Sequence, residues 1–130
     1  MSLDRRYVVC ALTFAVVGLS LGIFMAATHN HSELVAHAHI LLIGFVLSFI
    51  YGIIHKLWLV HPGRAIANAQ FALHLISAIT LSVGLFLIYG GIVEVSKLDA
   101  ILGVASFGVL LGMLLMIVMV FQSGARQGTA

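Results

Sequence analysis

Histidines are concentrated in one short stretch of this 130-residue chain. Four of them fall within eleven residues, just before and inside a long hydrophobic run: His29, His31, His37 and His39. Neutral imidazole is a common protein ligand for zinc, copper and heme iron. Ionisable side chains at membrane depth are costly and indicate a functional site by default. The stretch therefore predicts a metal or heme site around residues 29–39.

The other histidines form a second group, which consists of His55, His61 and His74. At 1.5 Å per residue, His39 lies about 7–8 Å inside its hydrophobic segment, and His74 lies at a similar depth from the opposite end of the next one. The two side chains are then separated by roughly 15–20 Å along the membrane normal. A single ion is not expected to bind both.

The faces of the second hydrophobic segment separate its histidines further. In a regular helix of 100° per residue, one face carries His37, Gly44, Ser48 and His55 within about 20° of each other. His39 points about 160–200° away from His37. We therefore expect one of these two histidines to face a neighbouring helix and the other a different helix or a second copy.

Two kinds of site are compatible with the histidine-rich stretch. The loop supports a copper or zinc site formed by His29, His31, Glu33 and His37, although a solvated polar loop without metal explains the same residues. His39 and His74 are the candidates for a buried cofactor, and a hydrogen bond to a neighbouring group is the alternative for each. That alternative is weaker for His39 because polar partners are scarce in lipid.

No arrangement of residues indicates a catalytic centre. Only four acidic residues are present, all at segment ends or in loops: Asp4, Glu33, Glu94 and Asp99. The serines follow the pattern of small packing residues, so we predict no nucleophile and no paired-carboxylate site. The methionines of the last hydrophobic segment are expected to be lipid-facing filler rather than copper ligands.

The composition requires a membrane protein. Hydrophobic residues make up 62% and charged residues 8% of the chain, whereas a soluble domain has about 25% charged residues. Four apolar segments of roughly 20 residues match the thickness of a bilayer, at about 7–27, 34–57, 69–89 and 98–121. Short polar breaks make neighbouring helices antiparallel. The sequence thus predicts an all-α, up-down four-helix transmembrane bundle that forms one domain over residues 1–130.

The basic residues predict the orientation of this bundle. Five lie at the termini or in the second loop: Arg5, Arg6, Lys56, Arg64 and Arg126. The third loop contains Lys97 and the first loop has none. Basic residues favour the cytoplasmic side. We therefore expect both termini in the cytoplasm and the histidine-rich loop on the outside of a bacterial inner membrane. The sequence contains no stripe of basic residues, so we predict no nucleic-acid partner.

Small residues recur at four-residue spacing and allow close helix packing. The pairs and triplets are Gly18 with Gly22, Gly44 with Ser48 and Gly52, and Gly108 with Gly112. They serve either packing within one bundle or contact between copies. Since four helices enclose little interior, we expect a homo-oligomer. Tyr51, Trp58 and Tyr89 lie near segment ends, as interfacial aromatic residues do.

The second and third segments resemble the catalytic subunit I of heme-copper oxidases, nearest to the nitric oxide reductase branch, and more closely small four-helix bacterial proteins described as subunit-I-like. The shared motifs are His37-Ala38-His39, then Gly44-Phe45, and the sequence FALH that ends at His74. In that family the helix-opening histidine is an axial ligand of the low-spin heme. The resemblance therefore implies heme binding by His39. A ring of three four-helix copies, a homotrimer, would match the twelve helices of the large subunits.

The chain departs from the family pattern at three positions: Leu41 replaces Asn, Phe45 replaces Trp and His55 replaces Tyr. The copper-site histidines of the oxidases have no counterpart. Our leading hypothesis is therefore binding of heme b by His39, with His37 or His74 of the same or a neighbouring copy as second ligand, for electron transfer, heme handling or gas sensing. The alternatives are the copper or zinc site and a structural or assembly subunit without cofactor.

Overall fold

A computed structural model describes residues 1–59 and 62–127 of the chain, with side chains up to residue 124. Within these residues the chain forms four helices and no strand: α1 (Leu3–Thr28), α2 (Leu34–Leu57), α3 (Arg64–Tyr89) and α4 (Val95–Gln127). Each helix is long and apolar enough to cross a membrane, with a mean hydropathy between 2.1 and 2.7 over its most apolar window. The predicted all-α, four-helix membrane fold is confirmed.

Several helices extend beyond the apolar segments that predicted them. Helix α1 begins at Leu3, and α4 continues to Gln127. Helix α3 begins at Arg64, directly after Gly63, rather than near residue 69. Polar residues at a membrane surface can stay helical because their side chains reach water while the backbone satisfies its own hydrogen bonds. His74 therefore lies ten residues into its helix, about twice as deep as the hydropathy profile suggests.

Successive helices run antiparallel, so the chain has two distinct ends. Gly22 near the end of α1 faces His37 near the start of α2, and Glu33 before α2 lies beside Gly90 after α3. Gly84 late in α3 faces Leu102 early in α4. We call the end with loop residues 29–33 the histidine end, and the end where α1 begins the termini end.

The small-residue stripes pack the helices of one chain against each other. A Cβ atom added at Gly18 would lie 2.5 Å from Leu41 Cδ2, and one added at Gly52 would lie 3.1 Å from Val8 Cγ2. Gly112 lies against His74, where an added Cβ would be 3.8 Å from the His74 Cβ. Of the two roles that the sequence allows for these stripes, the structure shows packing within the bundle.

Helix α2 changes its winding directly after His39. Residues Ile40–Leu47 are π-helical, with hydrogen bonds from i to i+5. The regular 100° count therefore fails beyond His39. The observed contacts nevertheless direct His37 toward α1 and Ser48 toward α3. Insertions of this kind within α-helices are frequent at functional sites.

The best-packed core lies at the termini end and corrects two predictions. Met116 and Met119 are 2% exposed and pack there with Tyr7 and Tyr51. The prediction that the methionines of α4 face lipid is thus wrong for Met116 and Met119, because flexible thioether side chains fill irregular gaps between helices.

Tyr51 was predicted to be an interfacial aromatic residue, and this prediction is also wrong. Its side chain is fully buried, and its hydroxyl donates to Met113 Sδ at 3.6 Å. The Met113 sulfur on the facing helix accepts this hydrogen bond, so the buried hydroxyl is not left without a partner. Trp58 and Tyr89 are exposed, by 54% and 43%, as interfacial residues are.

Candidate functional site

His37 lies between α1 and α2 at the histidine end. Its Nδ1 donates to the carbonyl oxygen of Gly18 at 2.9 Å. Its ring lies on Gly22, where an added Cβ would come within 2.9 Å of Cε1. Because a carbonyl oxygen can only accept, Nδ1 carries the hydrogen. In the neutral ring, the lone pair is therefore on Nε2.

His39 is fixed in the same way by its own helix. Its Nδ1 donates to the carbonyl oxygen of Val35, one turn earlier, at 2.9 Å. The side chain is half-buried, and Nε2 has no hydrogen-bond partner in the part of the chain that the structure describes. The bond to Val35 sets the orientation of the His39 ring. The lone pair of Nε2 therefore points away from the backbone of α2.

This arrangement is the one that metal-bound histidines adopt. Such histidines almost always donate their second ring N–H to a carbonyl, a carboxylate or water, which fixes the tautomer and raises the basicity of the ligating nitrogen. His37 and His39 both have that bond before any ligand is bound. Each could serve as a neutral imidazole ligand, and the two rings make contact with different partners.

The loop residues are arranged less favourably for a metal ion. His29 ends α1 in the left-handed region with φ 53°, and both His29 and His31 are exposed. Within residues 1–59 and 62–127, no group of three or more His, Cys, Asp or Glu side chains is placed to hold a metal ion. The structure of one chain therefore does not gather His29, His31, Glu33 and His37 around a common point.

Glu33 is buried beside the end of α3. Its side chain is 6% exposed, and an added Cβ at Gly90 would lie 2.7 Å from Oε1. Oε2 has no hydrogen-bond partner among the described residues. Glycine at position 90 thus makes room for the carboxyl group. Burial raises the pKa of the Glu33 carboxyl above its ordinary value, because the charged form loses its hydration.

His74 lies at a different level of the bundle and has a different partner. It is 1% exposed, and its Nε2 is hydrogen-bonded to Ser48 Oγ at 2.8 Å. Its Nδ1 is buried, with no partner in the part of the chain that the structure describes. Ser48 follows His39 by nine residues, about two turns of the partly π-helical α2, so His39 and His74 lie at different levels. Since metal–nitrogen bonds are about 2 Å long, one ion cannot bind His39 and His74 of the same chain.

His74 belongs to a buried polar cluster that residue spacing and hydropathy do not predict. This termini-end polar cluster joins α1, α2 and α3 and contacts α4, and it consists of Tyr7, Ser48, Tyr51, His55, Gln70 and His74. The Tyr7 hydroxyl donates to Gln70 Oε1, and Gln70 Nε2 donates to the carbonyl oxygen of Gly112 at 3.2 Å. A glutamine within an apolar segment was the one sequence signal that could have revealed it.

Aromatic contacts hold the histidines of this cluster. The His55 ring stacks on Tyr7 with ring centroids 5.3 Å apart, and the Tyr51 ring meets His74 edge-on at 4.9 Å. Nε2 of His55 is buried, and no described residue is its hydrogen-bond partner. The cluster is thus buried among side chains, and both ring nitrogens of His74 are inside it. His61, the third histidine of this group in the sequence, lies outside the described residues.

An apolar groove of about 900 Å³ lies between α1 and α3. Its walls include Phe14 and Phe24 of α1 and Ile79 and Phe86 of α3, with Ile40 of α2 between them. No described histidine lines the groove. The groove is therefore separate from both groups of histidines, and it provides apolar surface without a metal-ligating imidazole.

The two groups differ in what they can do chemically. The histidine end offers two oriented imidazoles with free Nε2 atoms, whereas the termini-end polar cluster holds its imidazoles in the buried interior of the bundle. Comparison of the chain with protein families, with curated proteins and with solved structures finds no match. The function must therefore be inferred from the geometry of these side chains and from the sequence motifs around them.

Proposed function

We propose that this chain is an integral membrane protein that binds heme b through His39 and takes part in electron transfer. The observation that carries the proposal is the bond from His39 Nδ1 to the Val35 carbonyl, 2.9 Å long, which leaves Nε2 as the free nitrogen. A heme iron ligand needs that tautomer and a ring held in place by a second bond. His39 has both within a single helix turn.

The surroundings of His39 suit an apolar macrocycle. The next turns of α2 expose Leu42 by 63% and Val46 by 39%, and Leu34 at the start of the helix is 56% exposed. These side chains give the surface of α2 on either side of His39 in the sequence an apolar character. The single cysteine, Cys10, lies on α1 and forms no heme-attachment motif, so a heme would be held without covalent bonds. When bound, heme supplies one-electron redox chemistry at a potential set by its axial ligands and surroundings.

The sequence motifs point to the same residue. His37-Ala38-His39 followed by Gly44-Phe45 resembles the heme-binding helix of heme-copper oxidase subunit I, in which a histidine near the helix start is an axial ligand. The counterparts of the copper-site histidines are missing, so we do not extend the resemblance to reduction of oxygen or nitric oxide. Ligation by two histidines favours electron transfer, and a ligation state with one open position would suit heme handling or gas sensing.

The proposal includes an orientation. Five of the six basic residues lie at the termini end or in the second loop, so we place both termini in the cytoplasm and the histidine end outside, in a bacterial inner membrane. Reporter fusions test this placement. A reporter active only in the cytoplasm should give a signal when fused after residue 130, and a reporter active only outside should give one when inserted at Asn30. The reversed pattern would refute the orientation.

The heme assignment is tested by absorbance and metal analysis of purified protein from heme-sufficient cells. We expect wild type to contain iron and to show a Soret band, and His39→Ala to lose both. The matched control is the double variant His29→Ala/His31→Ala, which should keep both because these side chains are exposed and outside the site. Wild type without a Soret band under these conditions would refute heme binding.

The same measurement separates the alternatives. Stoichiometric copper or zinc without iron, lost in His29→Ala/His31→Ala, would identify the loop as a metal site. Protein with no cofactor, whose spectrum, metal content and stability are unchanged in His39→Ala, would indicate a structural or assembly subunit.

A further inference from the structure

Among the residues that the structure describes, the other histidines of the chain are turned away from His39 or lie at another level of the bundle. His37 is turned toward α1 and bonded to Gly18, and His74 is bonded to Ser48, nine residues after His39 along α2. His29 and His31 are in the exposed loop beyond the start of α2, whereas His39 is five residues inside that helix. The described residues of one chain therefore supply one histidine ligand, and the two-histidine ligation that favours electron transfer needs a second.

We propose that a second copy of this chain completes the site, so that one heme is bound between two copies by His39 of each. This inference rests on the proposed heme binding. A two-fold axis makes a residue near it face the same residue of the second copy. His39 is suited to that position because its Nε2 is free and its side chain is half-exposed. Both ligands then have the same tautomer, fixed by the same bond to Val35.

The surface around His39 is available to a second copy. Helices α1 and α3 pack on other sides of α2, through Gly44 and Ser48. The remaining side of α2 carries exposed apolar side chains beyond His39: Leu42, Val46, Phe49, Ile50 and Ile53. The small residues of α2 are used within the chain, so this interface would be built from larger apolar side chains and the shared heme.

The first test is the stoichiometry of the purified holoprotein. Heme content is measured by pyridine hemochrome assay, and mass by native mass spectrometry in the same detergent. We expect one heme for two chains and a mass of two chains plus one heme. One heme for one chain, or a ring of three chains with three hemes, would overturn the inference and leave heme binding intact. Absence of heme would refute the proposed function itself.

The second test uses mixed copies. Wild type and His39→Ala chains with different affinity tags are produced together, and the species that contains one of each is isolated. We expect it to lose the low-spin, six-coordinate spectrum, and to regain it when free imidazole is added. A low-spin spectrum in the mixed species before imidazole would overturn the inference.

A third variant excludes the neighbouring histidine. His37→Ala should keep the low-spin spectrum and the two-chain mass, because His37 is bonded to α1 in its own chain. Loss of the low-spin spectrum in His37→Ala, with heme retained, would show that His37 is the second ligand and would contradict the His39 pair.

Discussion

The histidine end and the termini-end polar cluster contain the same side chain in opposite settings. At the histidine end, His37 and His39 donate through Nδ1 to backbone carbonyls, both at 2.9 Å. In the termini-end polar cluster, His74 is bonded to a serine hydroxyl, and His55 is stacked on a tyrosine ring. The first setting leaves a nitrogen free for a ligand, whereas the second encloses the ring.

The difference shows that the partner of an imidazole matters as much as its depth. A carbonyl oxygen only accepts, so it fixes which nitrogen carries the hydrogen. A serine hydroxyl donates or accepts, so Ser48 fixes no tautomer in His74. His74 is the more deeply buried residue, and depth alone would make it the stronger site candidate. The bonds reverse that ranking and favour His39.

The largest expected effect separates the two regions by cofactor content. His74→Asn should keep the Soret band at wild-type height for each chain, whereas His39→Ala loses it completely, because of these two histidines only His39 presents a free and oriented nitrogen. Absorbance at a fixed protein concentration measures the contrast. If His74→Asn also removed the heme from folded protein, the termini-end polar cluster would be part of the heme site. That result would contradict the distinction between the two regions.

The next largest effect is on the stability of the polar cluster. Tyr7→Phe removes the donor to Gln70 and leaves a buried amide oxygen without its partner, which costs about 1–3 kcal/mol of the free energy of unfolding. Unfolding by SDS in mixed micelles measures the change. Tyr89→Phe is the matched control, since Tyr89 is 43% exposed, and it should change the stability by less than about 0.5 kcal/mol. Equal effects of the two variants would contradict the role of the cluster in holding the helices together.

A smaller effect is expected where His37 packs on α1. Gly22→Ala places a Cβ 2.9 Å from His37 Cε1, so the ring must shift at a cost of about 1 kcal/mol. Gly103→Ala is the control because an added Cβ there meets no atom within 4 Å. The control should be neutral or stabilise α4, since alanine is the better helix former. Heme content should be unchanged in both, and its loss in Gly22→Ala would assign His37 a direct role.

The smallest effect concerns the pH dependence of Glu33. Its native pKa is raised above the ordinary value of 4.5, so the native state holds this proton more tightly than the unfolded state does. The stabilisation is complete below about pH 4.5 and is lost as the pH rises from there through the raised native pKa. Glu33→Gln should remove this decrease and be more stable than wild type at pH 7.

Denaturation measured between pH 4 and 8 checks this prediction. Glu94→Gln, at an exposed position of the third loop, serves as control and should follow the wild-type pH profile. The opposite result is a wild-type stability that increases with pH over this range, together with a Glu33→Gln variant that lacks the increase. That result would contradict burial of an unpaired carboxyl group at Glu33.

Particular residues show which features of the fold and the site can be predicted from residue spacing and hydropathy. Period and hydropathy predicted four membrane helices, and they placed His37 and His39 on different sides of α2. They failed for Met116, Met119 and Tyr51, because an apolar helix carries no signal that separates lipid-facing from helix-facing positions when both are hydrophobic. They also misjudged the depth of His74, since hydropathy locates the membrane core and not the helix end.

The sequence by itself determined the fold class and the location of the histidines, because the length of an apolar segment and the order of residues are local properties. The tertiary structure decided which imidazole nitrogens are free. The bond from His37 to Gly18 and the pairing of Tyr7 with Gln70 join residues that are 19 and 63 positions apart. No periodicity within one helix encodes such contacts. The packing of antiparallel helices creates them, and it leaves His39 as the oriented imidazole on the open side of α2.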